Sequence, residues 1–188
     1  MSTPMFPIVK ANIGEMSPKK AIQRFLEHRL NERWVLLGEH AAQSYDQLWT
    51  AWIQATRNEL RGRMVARSID AEFLRYLAGT HHISEAFSRA GLQTGQSSAW
   101  VLFLPPAEGV ENDLGHLQPV AQSVEAFSDD AGTFAGALGW AITESAMCFS
   151  IEGASLLGVD LDGWEEERQI ESLVAHVLMA DDQSSSHR

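Results

Sequence analysis

Apolar side chains recur every three to four residues in three separate stretches of the chain, a spacing that predicts three amphipathic helices. Ile22, Phe25, Leu26 and Leu30 mark one face of a helix over 18–31. Ser17 followed by Pro18 supplies its start, a capping side chain and then a ring whose missing N–H costs nothing in the first turn. Tyr45, Leu48, Trp49, Trp52, Ile53 and Leu60 mark a second helix over 44–61, opened by Ser44 with Gln47 three residues on in a capping-box pattern. Trp49 and Trp52 fall on its apolar side and read as core. Ile170, Leu173, Val174, Val177 and Leu178 form the buried stripe of a last helix that Asp162 and Glu165 begin. Glu165, Glu166 and Glu167 then sit in its first turn, where negative charge complements the helix dipole.

Predominantly apolar stretches predict the strands. Met5–Ile13, Trp34–Leu37 closed by Gly38, and Trp100–Leu104 before Pro105-Pro106 are the candidates. Residues 63–67 suit a short strand or an extended turn. Two brief helices over 69–78 and 82–90 follow, joined by Gly79-Thr80-His81, with Gly91 as the C-terminal cap. Residues 107–118 are a polar loop, 120–127 is weakly helical, and glycines leave 133–142 open between strand and helix start. A helix over 143–157 completes the reading. Strands and helices mix without a regular βαβ alternation. The pattern therefore predicts an α+β fold, a small, largely antiparallel sheet packed with several helices, as a single domain over 1–181. The segment 182–188 has nothing to bury and is expected to be a disordered tail.

Size and composition agree with one domain: 188 residues and 20.8 kDa are enough to bury a core. No apolar run approaches a membrane span, and the first residues lack the basic start of a signal peptide. With a single cysteine, Cys148, expected to be a small buried hydrophobe, this predicts a cytoplasmic protein without a membrane partner. The net charge of −11 argues against a nucleic-acid partner until the chain is divided. Residues 1–89 carry twelve basic and nine acidic side chains, a balance of +3, whereas 90–188 carry two and sixteen, a balance of −14. Such asymmetry permits a basic face on an acidic protein. It equally permits an acidic, solvated half with no partner.

The search for chemistry returns little. There is no P-loop, no GxGxxG after a strand, no HExxH, no CxxC and no GxSxG. His81-His82 is the one histidine pair, and neighbours on a helix point about 100° apart. Glu72 and Glu85, the nearest carboxylates, complete no recognisable metal site. The residues therefore predict neither an enzyme nor a metal or cofactor protein.

One segment is distinctive. EFLRYLAGTHHISEAFSRAGL, residues 72–92, resembles the signature of the kinase-binding subunit family of the KEOPS (EKC) complex. Glu72, Tyr76, Ala78, Gly79, Ile83, Ala86, Gly91 and Leu92 stand where that signature wants them. ESLVAHVLMAD (171–181), after LGVD (157–160), is similar to the family's ending. His81-His82 departs from the family's usual Arg-Gln, and His176 stands where a basic residue is common. The resemblance implies a subunit that does no chemistry itself. It implies docking on the N-lobe of the complex's small atypical kinase-ATPase and, as in archaeal members, a grip on the single-stranded CCA end of tRNA. The assembly's task would be threonylcarbamoylation of tRNA adenosine 37. Carried onto this chain, the RNA contacts fall on Arg75, His81, His82 and Ile83, and the kinase contacts on Val174, Val177 and Leu178. Two alternatives stand beside it: an interaction module of the same fold without RNA binding, which the His81-His82 departure would suit, and a small-molecule hydrolase or transferase whose site shows no local motif.

Overall fold

The computed structural model of the chain describes residues 3–108 and 114–182. It is a mixed α+β structure whose residues gather into two compact units. Among the described residues one unit, residues 6–39, 92–108 and 114–146, holds the sheet; the other, residues 3–5, 40–91 and 147–182, is helical.

In the sheet unit four strands pair antiparallel in the order β2-β3-β1-β4: β1 (Ile8–Asn12), β2 (Trp34–Gly38), β3 (Ser98–Phe103) and β4 (Ala141–Thr143). The three longer strands are the three apolar runs of the sequence. Val101 on central β3 faces Val9 of β1 and Leu36 of β2. In β2 and β3 consecutive side chains are buried, Trp34 and Val35 as well as Trp100, Val101 and Leu102, so both faces of these strands are covered. That is why they read as continuous apolar runs and not as alternation.

Two helices complete this unit, α1 (Pro18–His28) and α5 (Ala121–Leu138). Ser17 caps α1 by accepting from the Lys20 amide, as its spacing predicts. The buried side of α1 is narrower than expected: Ala21 and Phe25 are buried, whereas Ile22, Leu26 and Leu30 are exposed. Phe25 meets Phe134 of α5 edge to face at 5.2 Å, and Trp34 stacks on Phe134 at 5.1 Å and on Phe127 at 5.7 Å.

Helix α5 is longer than its local pattern suggests. It is one 18-residue helix through the region divided between a weak helix and an undecided segment. Gly132 and Gly136 lie within it with open space beside them, so they weaken its helical signal without answering any close approach. Gly139 ends it in the left-handed conformation, φ 74°, where a side chain would be strained. The chain then enters β4, which displaces the helix expected over 143–157. Only α6 (Ile151–Leu156) forms there, capped by Ser150.

The helical unit contains α2 (Tyr45–Arg61), α3 (Ile69–Leu77), α4 (Ile83–Ala90), α6 and α7 (Glu171–Leu178). The Ser44–Gln47 capping box is present, with both reciprocal hydrogen bonds made. Trp52 is fully buried and Trp49 half-buried, its Nε1 donating to the Pro4 carbonyl at 2.8 Å. Residues 63–67 are irregular, with bends at 65–67, and not a strand. The last helix is shorter than its periodicity suggests: Glu166–Arg168 form a separate 3-10 turn, and Asp162 lies in a turn well before Glu171. Of the expected stripe, Leu173 and Val177 are buried, whereas Ile170 and Leu178 are exposed. Cys148 is exposed, not a core hydrophobe. The tail beyond 182 lies outside the described residues, among which no helix is long and apolar enough to cross a membrane.

The ring stack defines the core of the sheet unit. Phe134→Ala, which leaves Trp34 and Phe25 without their shared partner, should cost about 3–5 kcal/mol of stability. Urea unfolding followed by tryptophan fluorescence measures it. A loss below about 1 kcal/mol would show that the stack is not central.

Candidate functional site

The distinctive segment 72–92 builds α3, the turn after it, and α4. Every residue of α3 is buried, including Asp70, Glu72 and Arg75. A buried charge persists only if its surroundings complete its hydrogen bonds. Glu72 is completed in full. Its Oε1 accepts from Arg75 Nε at 2.9 Å and from the Ala66 amide at 3.3 Å, and its Oε2 from the Val65 amide at 3.1 Å and Asn58 Nδ2 at 3.2 Å. Arg75 donates onward from Nη1 to Asp181 Oδ1 at 2.9 Å, and its guanidinium lies 4.4 Å from the centre of the Tyr76 ring. Tyr76 donates its hydroxyl proton to Asp181 Oδ2 at 2.7 Å and accepts from Asn58 Nδ2 at 2.7 Å.

These contacts fix the charge states. Burial opposes the Arg75 charge, but its bonds to Glu72 and Asp181 outweigh that and raise its pKa further. Burial, and then the hydrogen bond to Asp181, push the Tyr76 phenol up to about 12. The network uses Asn58 of α2, the 65–67 bend, α3, and Asp181 just past α7.

A second tie lies beside it. His176 on α7 points Nε2 at two carbonyl oxygens, Ala78 and Leu157, each at 2.8 Å. Both partners only accept, so Nε2 carries the hydrogen. Burial lowers the His176 pKa, more than the two carbonyls raise it. The same ring explains Gly79. With φ 61° that residue is left-handed, and a Cβ there would lie 2.5 Å from the imidazole.

The residues expected to meet RNA separate. Arg75 is fully buried and engaged with Glu72 and Asp181. One of its nitrogens, Nη2, is buried without a hydrogen-bond partner. His82 is exposed at the N-cap of α4, and His81 and Ile83 are half-buried beside it. The start of α4 already has a carboxylate: Glu85 accepts from the Thr80 hydroxyl at 2.8 Å and pairs with Arg89 at 3.5 Å. That charge offsets the positive potential a free helix N-terminus would present.

The expected partner residues separate too. Val177 is fully buried among the core residues. Val174 and Leu178 instead line an open groove of about 550 Å³. Trp164, Ile170 and Ala175 continue its apolar wall, and Ser44, Asp46 and Thr50 of α2 with Glu171 form a polar edge. Leu178 is 53% exposed there.

The family model for kinase binding protein CGI-121 matches residues 16–134 of the chain, more than half its length. The chain belongs to the CGI-121 family of kinase-binding proteins. The resemblance in residues 72–92 pointed to the same family. No curated protein matches the chain. In this CGI-121 protein the match includes Glu72, Arg75 and Tyr76, but α7 and Asp181, which complete their network, lie beyond it. Among the described residues no group of three His, Cys, Asp or Glu side chains is placed to hold a metal ion.

Three features escaped the sequence reading. The buried role of Arg75 was hidden because a lone arginine on a short helix reads as surface. Its signal lay in the spacing, since Glu72 and Arg75 at i and i+3 meet on one helix face. Asp181 carried no local signal, since its partners are 105 and 106 residues away. The exposed arginines of 61–67 lie outside the motif and belong to no recognised pattern.

His176 gives this CGI-121 protein a pH-dependent fold. Its native pKa lies below the unfolded value near 6.5, so its contribution is present above that pH and is lost as pH falls through the native pKa. His176→Gln should destabilise by about 1–3 kcal/mol at pH 7.5. The deficit should narrow toward pH 5, because the variant has no imidazole to protonate. Urea titrations of both proteins across that range provide the check, and a constant gap would contradict it.

Proposed function

We propose that this CGI-121 protein is the kinase-binding subunit of a KEOPS-type assembly in the cytoplasm, holding the small atypical kinase-ATPase and the CCA end of tRNA while adenosine 37 is threonylcarbamoylated. In this reading it contributes no catalytic residue. The observation that carries the proposal is the family match, whose description is kinase binding.

The groove beside α7 offers a seat for the kinase. Its apolar wall ends on Leu178, a side chain large enough to anchor a contact and too exposed to be part of the core. The RNA part is the finer claim. His82, with His81 and Ile83 around it, remains the candidate contact at the signature, supported by its exposure. The alternative, a kinase-binding module without RNA binding, draws support from the buried Arg75 and from Glu85 at the start of α4.

Leu178→Glu tests the kinase part cleanly. Truncation at 174 would also remove buried Val177 and Asp181, and so would damage the fold. With the circular dichroism of the free subunit unchanged, Leu178→Glu should abolish kinase co-purification, a loss of about 2 kcal/mol or more. A folded variant that still brings down the kinase moves the docking surface elsewhere.

A further inference from the structure

We propose that the turn after α2 is the chain's principal RNA-backbone contact, with Arg61, Arg63 and Arg67 binding successive phosphates. This rests on the RNA part of the proposed function and assigns it a surface that the signature does not contain.

Three observations meet in this turn. All three arginines are exposed. Of the nearest acids in sequence, Glu59, Asp70 and Glu72, the last two are buried, and the Glu72 charge is balanced by Arg75. On a chain of net charge −11 this is a concentrated positive segment. The backbone that carries it is also fixed. Gly62 ends α2 in the left-handed conformation, φ 65°, and the Arg63 amide donates to the Asn58 carbonyl at 2.8 Å. The Val65 and Ala66 amides donate into the buried Glu72 carboxylate. Pulling these amides inward holds the bend to α3, and the arginine side chains on either side of it remain outside.

A fixed backbone bearing only arginines suits discrete phosphates. Each guanidinium is planar, permanently charged and able to grip a phosphate with two parallel bonds. Leu60 and Val65, 49% and 41% exposed, interleave apolar surface that could lie against unstacked bases. Electrostatic attraction to an anionic membrane usually draws on a longer run of four to eight basic residues. RNA is therefore the favoured partner. Glu72 gains a second consequence: the carboxylate that balances Arg75 also shapes the turn.

The test uses the full chain and a labelled tRNA transcript ending in CCA. Arg61→Gln, Arg63→Gln and Arg67→Gln combined should weaken binding at least tenfold. They should also flatten the slope of log affinity against log salt by about 2, as expected when roughly three phosphate contacts to single-stranded RNA are lost. Lys19→Gln with Lys20→Gln, which removes exposed charge from α1, should change affinity less than twofold. The arginines are exposed, so thermal unfolding and kinase co-purification of the triple variant should match the unaltered chain. If the unaltered chain binds and the triple variant binds equally well, the inference fails and the proposed function stands. If the unaltered chain binds no tRNA, the RNA part of the proposed function fails and this inference falls with it. Binding to vesicles of roughly 3:1 phosphatidylcholine to phosphatidylserine in preference to tRNA would overturn it in favour of a membrane.

Discussion

The buried pairing of Glu72 with Arg75 is the constraint from which the helical unit follows. Two opposite charges at zero exposure are held here because all of their hydrogen-bonding groups but Arg75 Nη2 are matched, and removing either partner would strand a charge at a cost of about 3–5 kcal/mol. The matching groups come from far along the chain. Two backbone amides of the 65–67 bend, an asparagine on α2 and an aspartate past α7 are all drawn to α3. The ion pair therefore acts less as a source of net stability than as a device that admits one arrangement of four segments.

That view gives the recurrent residues of the motif separate physical reasons. Glu72 is required by its amides, Tyr76 by Asn58 and Asp181, and Gly79 by its left-handed backbone and the His176 ring against it. None of these requires a ligand. Surfaces that could serve function lie around the network: the groove beside α7, the exposed His82, and the arginine turn. A motif can thus identify a family while its most regular residues hold the fold and its neighbours face the partner.

The fold was legible wherever local pattern decided structure. The caps at Ser17 and Ser44, the three apolar strands and the α2 stripe were readable because each depends on residues within one or two turns. Errors arose where tertiary pairing overrode the local signal. Residues 141–143 became a strand because β1 offered them an edge, and α5 ran through two glycines because Phe127, Ala131, Phe134 and Leu138 bury one side of it. The candidate site was less legible for the same reason. Leu178 and Val177 are neighbours in sequence and alike in chemistry, yet one is half-exposed and the other enclosed. Hydrophobicity alone could not separate them. Arg75 reads as a surface cation until its partner, 106 residues away, is known.

The central claim is that the motif of residues 72–92 and the chain's ending are one energetic unit. A double-mutant cycle in urea unfolding tests it most directly. Tyr76→Phe removes the hydroxyl, Asp181→Ala removes its acceptor, and neither position lies on a surface proposed to meet a partner. If the two segments are coupled through this bond, the double variant should be more stable than the sum of the single losses implies, by about 1 kcal/mol or more. Losses that add to within a few tenths of a kcal/mol would show that the two segments fold as neighbours without depending on each other, and would contradict the account.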